Sequence, residues 1–161
     1  MAAVTVAILM GSQTDLPKME KAAEVLKAFG VPHEVKVLSA HRLPDRVAEY
    51  AKRAEQSGIR VLIAGAGMAN HLAGALAANT TLPVIGVPLR SSLSVLDGLD
   101  ALLSIVQMPK GIPVATVAID GAANAAFLAV EILALSDESL RSKLKEHRRA
   151  EREKLEASSG S

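Results

Sequence analysis

Short apolar runs alternate along the whole chain with longer stretches in which apolar residues recur every three or four positions. Residues 4–10 form a nearly continuous apolar run. Such a run lacks the in–out alternation of a half-exposed strand and predicts one buried on both faces. Residues 16–29 read as a helix, because Met19, Ala22, Ala23, Leu26 and Phe29 recur near helical spacing, and Gly30 supplies a C-terminal cap. The pattern then repeats. It predicts strands over 33–38, 60–64, 83–87 and 114–119, and helices over 44–56, 69–78, 98–106 and 122–135. Gly65-Ala66-Gly67 breaks the third strand, and residues 88–94 read as a loop. A last, strongly charged helix spans 138–157, with Leu140, Leu144, His147, Glu151 and Leu155 roughly on one face.

Strand–helix alternation repeated five times predicts an α/β fold, a parallel sheet with helices on both faces. The C-terminal helix is an addition to it. Neither a linker nor a low-complexity stretch interrupts the pattern, so residues 1–157 read as one domain and 158–161 as a flexible tail. In such sheets ligands bind outside the carboxyl ends of the strands, near a switch in strand order. The breaks after the first three strands are polar or glycine-rich, so they can converge on one crevice.

Composition narrows the function classes. A length of 161 residues suits one domain with a substantial core. Formal net charge is +1, and Phe29, Tyr50 and Phe127 are the three aromatic residues. Neither a basic footprint nor a base-stacking platform for nucleic acid is expected from such a chain. With no cysteine, thiol chemistry, disulfides and cysteine-based metal sites drop out. The start of the chain lacks a signal-peptide pattern, and no apolar stretch is long enough to span a bilayer. A cytoplasmic protein with no membrane partner is expected.

Three segments carry candidate chemistry. Gly11-Ser12-Gln13-Thr14-Asp15 follows the first strand and opens a helix, a place where backbone N–H groups and the hydroxyls of Ser12 and Thr14 suit an anion and Asp15 suits a ribose hydroxyl. The same residues are also ordinary helix caps, and the segment alone favours the cap. Ser39-Ala40-His41-Arg42 ends the second strand with a hydroxyl, an imidazole that titrates near neutral pH and a guanidinium suited to phosphate. Gly65 to Leu72 follows the third strand, where Gly67 and its small neighbours let a planar ligand lie against the backbone beside Met68 and His71. One histidine at a helix start is commonplace; two at neighbouring strand ends can serve one ligand as acid and base. His33 and His147 read as structural or solvent-facing. Residues 104–113 contain two prolines and a glycine, and Lys110 there is either an exposed turn residue or a cover for an anionic ligand. The alanine-rich helices 69–78 and 122–134 allow close packing within the chain or, as a second reading, between copies of it.

Taken together these segments resemble the 5-(carboxyamino)imidazole ribonucleotide mutase family of purine biosynthesis. The family carries a Gly-Ser-x-Ser-Asp loop, a Ser-Ala-His-Arg turn, a Gly-Ala-Gly-Gly-Ala-Ala-His-Leu segment and a Ser-Ile-Val-Gln-Met-Pro-x-Gly-Ile-Pro-Val run. They correspond here to Gly11–Asp15, Ser39–Arg42, Gly65–Leu72 and Ser104–Val114, in the same order, and the resemblance covers roughly residues 4–135. It implies a three-layer, flavodoxin-like domain that assembles as a homo-octamer with sites between subunits. It also implies a ribonucleotide substrate held by Ser12, Asp15 and Arg42 with Ser39 on the phosphate. His41 would be the general acid and base and His71 would line the site, with no metal and no cofactor. The implied reaction moves a carboxylate from an exocyclic nitrogen to a ring carbon of an aminoimidazole ribonucleotide.

The chain departs from the family pattern at several places. Thr14 stands for Ser, Leu43 for Thr, Met68 for Gly, Asn70 for Ala, Ala73 for Pro and Ala101 for Ser, and the loop over 89–97 is about two residues longer. Two alternatives accompany the mutase expectation. One is a carboxylase that takes the uncarboxylated ribonucleotide and carbon dioxide. The other is an oligomeric scaffold with weakened catalysis.

Overall fold

The computed structural model describes residues 4–159. Five parallel strands form one sheet in the order β2-β1-β3-β4-β5, the flavodoxin-like arrangement. In chain order the elements are β1 (Val6–Met10), α1 (Leu16–Phe29), β2 (His33–Val37), α2 (Pro44–Ala54), β3 (Val61–Gly67) and α3 (Leu72–Ala77). They continue with β4 (Val84–Leu89), α4 (Leu99–Val106), β5 (Ala115–Thr116), α5 (Ala122–Ala134) and α6 (Glu138–Ser159).

Strand β1 lies between β2 and β3 and every one of its residues is fully buried, as its unbroken apolar run requires. Its side chains alternate between two cores. Val6, Ile8 and Met10 face α1 and α5, while Ala7 and Leu9 face α2 and α3. Strand β3 repeats the division, with Val61 and Ile63 on the first side and Leu62 and Ala64 on the second. The sheet thus has a helical layer on each face. Gly30 caps α1 with φ 72°, and its N–H bonds the Leu26 and Lys27 carbonyls; only glycine adopts that left-handed conformation freely.

Differences from the predicted elements concentrate where glycine or proline masks a strand. Strand β3 does not stop at residue 64 but continues through Gly67, because Gly65, Ala66 and Gly67 pair with Val87, Pro88 and Leu89. For the same reason β4 runs on into the stretch expected as a loop. Pro88 fits the ladder because its carbonyl still accepts the Asp120 N–H at 2.8 Å. Helix α3 is shorter than 69–78. Met68 takes a left-handed φ of 55° after β3, and helical geometry resumes only at Leu72. Strand β5 is two residues long instead of six, as befits a partly exposed edge. Helix α6 runs to Ser159, two residues into the stretch expected as a tail; residues 160–161 lie outside the described residues.

Helix α6 is anchored through its first turns. Leu140 is buried, and His147 packs against Phe29 and Phe127 with ring centroids 5.7 and 5.0 Å apart. His147 is therefore structural. So is His33, whose Nδ1 lies 2.9 Å from the Val31 carbonyl. Leu155, expected on the same face, is 66% exposed, because the helix has by then run past its partners.

Candidate active site

The strand order reverses between β1 and β3, and there the carboxyl ends of β1, β2 and β3 open into a cavity of about 300 Å3. Three polypeptide turns supply its walls. Gly11, Ser12, Thr14 and Asp15 come from the end of β1, Ser39 to Arg42 from the end of β2, and Ala66 to Ala69 with His71 and Leu72 from the end of β3. Ser91 and Leu93 close it from the loop after β4. A larger groove of about 1200 Å3 runs along β2 and α2, where Glu34, Lys36 and Tyr50 engage one another. Tyr50 donates to Glu34 at 2.5 Å, and Lys36 pairs with Glu34 at 2.8 Å.

The first turn is a single turn of 3-10 helix whose residues cap it and also line the cavity. The Ser12 hydroxyl accepts the Thr14 N–H at 3.3 Å, and the Asp15 carboxylate accepts the Ser12 N–H at 3.1 Å, a reciprocal capping box. Thr14 donates its own hydroxyl hydrogen to Ser12 at 3.0 Å. The box holds one carboxylate and two hydroxyls at the cavity edge. Burial pushes the Asp15 carboxyl above its ordinary value, against the opposing pull of the Ser12 N–H and the Lys18 ammonium.

The second turn folds on Ser39, whose carbonyl accepts the Leu43 N–H at 2.9 Å and whose hydroxyl accepts the Arg42 N–H at 3.4 Å. Arg42 is exposed, and among the described residues no carboxylate pairs with its guanidinium. It is a free cation at the mouth of the cavity.

The third turn brings His71 to the N-cap of α3 and against His41. His41 Nε2 and His71 Nδ1 are 2.8 Å apart, with ring centroids 4.9 Å apart and planes at 77°. One nitrogen holds the shared hydrogen and the other accepts it, so each ring orients its partner. Asn70 anchors this turn from behind. Fully buried, it donates to the Val87 carbonyl at 3.0 Å, while its own N–H bonds the Ser104 hydroxyl at 2.9 Å. Gly67 is needed where it stands, since a Cβ there would lie 2.9 Å from that of Ser91 and 3.2 Å from the Leu89 carbonyl oxygen.

Of the sequence-predicted residues, Ser12, Thr14, Asp15, Ser39, His41, Arg42, Gly67, Met68 and His71 all line the one cavity. Lys110 does not. It sits in the turn before β5, whose next residues Gly111 to Pro113 line a groove with Pro83 at the ends where strands begin. Ser91 and Leu93 were not foreseen, although their position just after a strand was a usable signal. That loop is tied down by charge: Lys18 donates to the Arg90 carbonyl at 2.6 Å and to Asp120 at 3.0 Å, and Arg90 donates through Nε to Asp97 at 3.1 Å.

Residues 5–154 match the family model described as AIR carboxylase. The chain belongs to that family. It is 56% identical over 151 residues to the N5-carboxyaminoimidazole ribonucleotide mutase of Pyrococcus horikoshii, covering 94% of this chain and 84% of that one. To the Escherichia coli enzyme of the same name it is 51% identical, covering 93% of this chain and 89% of that one. A crystal structure of Treponema denticola PurE superposes with a TM-score of 0.84 at 31% identity, covering 94% of this chain and 93% of that one.

Proposed function

We propose that this chain is an N5-carboxyaminoimidazole ribonucleotide mutase of purine biosynthesis, an isomerase. The observation that carries the reading is the His41–His71 pair facing the same small cavity as Asp15 and Arg42, in a chain whose relatives bear that name over most of their length. In this reading the ribonucleotide is bound by the polar rim. Arg42, Ser39 and Ser12 hold the phosphate, Asp15 accepts from a ribose hydroxyl, and the glycine- and alanine-lined floor takes the imidazole ring.

The reaction needs only a proton donor and acceptor in a shielded space. His41, protonated, gives its proton to the exocyclic nitrogen as the bond from that nitrogen to the carboxylate carbon breaks, releasing carbon dioxide. The ring carbon then attacks carbon dioxide, forming the new carbon–carbon bond. His41 takes the hydrogen from that ring carbon, which restores the aromatic ring and the protonated imidazole. His71 holds His41 in register through both steps. Nothing else is consumed.

The chain is further proposed to act as a cytoplasmic homo-octamer. Supporting this, no helix among the described residues is long and apolar enough to cross a membrane. Leu99, Leu103 and Val106 also leave an exposed apolar stripe on α4.

The test supplies either the carboxyamino ribonucleotide or the uncarboxylated ribonucleotide at low bicarbonate, to the parent chain and to His41→Asn. The parent converts the carboxyamino substrate, and His41→Asn loses on the order of 10²–10⁴-fold in kcat with an unchanged Tm. Turnover of the uncarboxylated substrate alone would make the chain a carboxylase.

A further inference from the structure

The loop that closes the cavity is pinned by a residue outside the cavity lining. Asp120 follows β5, a strand of only two residues, and precedes α5. It prolongs the bonding to β4 past the end of that short strand. Its N–H donates to the Pro88 carbonyl at 2.8 Å, and its carboxylate Oδ1 accepts the Arg90 N–H at 3.0 Å, a place that a longer β5 would have filled with a main-chain carbonyl. Lys18 completes the grip. Its ammonium donates to the same Oδ1 at 3.0 Å and to the Arg90 carbonyl at 2.6 Å, so both main-chain groups of Arg90 are held. Arg90 Nη1 lies 3.6 Å from Asp120 Oδ2. The Asp120 side chain is 24% exposed, which shields it from much of the water that makes surface ion pairs weak.

The loop beyond this pin closes on itself. Arg90 donates through Nε to Asp97 at 3.1 Å, and a Cβ on Gly98 would lie 3.3 Å from Arg90 Cγ, so the two ends of the loop touch. Its middle is tied by the Ser94 hydroxyl, which accepts the Leu96 and Gly98 N–H groups at 3.3 and 3.2 Å. A loop so closed moves as one body about its root. Asp97 and Asp120 hold left-handed φ values of 49° and 57°, which aspartate tolerates but does not favour, so the contacts of the pin outweigh a backbone cost. On the cavity side Ser91 follows Arg90 directly. It lies close over the floor, where a Cβ on Gly67 would come within 2.9 Å of its own. We propose that Asp120 is a positioning residue for nucleotide binding: through Arg90 and Lys18 it seats the wall of Ser91 and Leu93 over the Gly67 floor, and so sets the affinity for the ribonucleotide. The ligand class rests on the mutase reading above. His41 and His71 come from the turns after β2 and β3, which the pin does not hold, so the chemical step is left unchanged.

The experiment compares the parent chain with Asp120→Asn and Asp120→Gly. Both replacements accept the positive φ, so neither adds backbone strain. Asparagine keeps an oxygen for the Arg90 N–H and loses the charge; glycine loses both. Three quantities are read: the Kd of the carboxylated product ribonucleotide by calorimetry, kcat and KM with the carboxyamino substrate, and the rate of tryptic cleavage after Arg90 by mass spectrometry. In Asp120→Gly, Kd and KM should rise about tenfold, the scale of one lost charge-assisted hydrogen bond, and in Asp120→Asn by less. Cleavage after Arg90 should quicken in the same order, while kcat keeps the parent value, the pattern of binding lost equally from ground and transition states. A merely structural residue would lower Tm without moving the Kd of the molecules still folded. An unchanged Kd in Asp120→Gly overturns the positioning role whatever happens to cleavage, and so does a kcat that falls at constant KM; the mutase reading survives either result. A parent chain that binds the ribonucleotide without converting the substrate overturns the mutase reading, and the Kd series still decides the role of Asp120. A parent chain that binds no ribonucleotide overturns both.

Discussion

Asp15 has two duties at the cavity edge, and they conflict. As the acceptor in the capping box it holds the turn after β1 together, and half-burial beside that turn disfavours its charge. A carboxyl whose pKa is raised on folding binds protons more tightly in the folded chain than in the unfolded one. Its favourable share of stability is then present at low pH and is lost as pH rises through the raised value. Asp15→Asn keeps an oxygen for the Ser12 N–H and removes the buried charge. The variant should therefore melt above the parent at pH 7, and the gap should narrow on acidification toward 3.8, the ordinary value for this side chain. Calorimetry across that range checks the sign. A gap that widened with acid would mean that the box or Lys18, and not burial, dominates the carboxyl. The same substitution should weaken nucleotide binding, because an amide matches the proposed ribose contact less well than a carboxylate. Stability gained where function is lost is the behaviour expected of a site residue.

Between elements, the join of α1, α5 and α6 depends on three rings. Phe29 at the end of α1 meets Phe127 of α5 edge-on, with centroids 5.7 Å apart and planes at 82°, and His147 of α6 packs on both. Phe29→Ala removes the buried member of this group and should cost about 3–5 kcal/mol, lowering Tm by roughly 10 °C. Because α1 ends where the strands begin, kcat per folded molecule should stay at the parent value; a loss of kcat at a temperature well below the new Tm would show coupling across the sheet. None of this ring cluster was apparent in sequence. Periodicity placed Phe29 on the buried face of α1 but carries no information on which helix lies opposite. Element type was legible wherever apolar spacing was unbroken, as in β1, α1 and α5. It failed where backbone pairing extends through residues with weak strand propensity: Gly65 to Gly67 in β3 and Pro88 in β4 are held by their neighbours in the ladder. The site was more legible than these boundaries, since its three turns follow consecutive strands and parallel topology carries them to one end. Lys110 lies outside that cavity because it precedes a strand, and the ends where strands begin lie away from it. The loop after β4 is legible in sequence only as a lengthened one, and Leu93 does not stand out as a wall of the cavity because it has no chemistry of its own.

At the scale of the whole molecule, helix α4 is apolar on both sides. Ala101 and Ile105 are fully buried against the sheet, yet Leu99, Leu103 and Val106 are 43%, 50% and 48% exposed on the outer face. A helix with apolar residues on opposite faces is suited to burial on both, and one chain covers only one of them. The neighbouring loop adds Val95 at 90% and Leu96 at 51%, which makes the surface broader than a single stripe. These residues lie within a few positions of Leu93, so an assembly that covers them would also steady one wall of the candidate site. Light scattering tests the octamer proposed above, which would have a mass near eight times the 16.8 kDa of the chain. Leu103→Lys should lower that mass, since a buried ammonium without a partner opposes association. Within one chain Leu103 is half exposed, so the substituted subunit should keep its secondary structure by circular dichroism. Its kcat/KM should fall with the mass and recover at protein concentrations that restore the assembly. Loss of mass with full activity at every concentration would show that each chain builds its site alone.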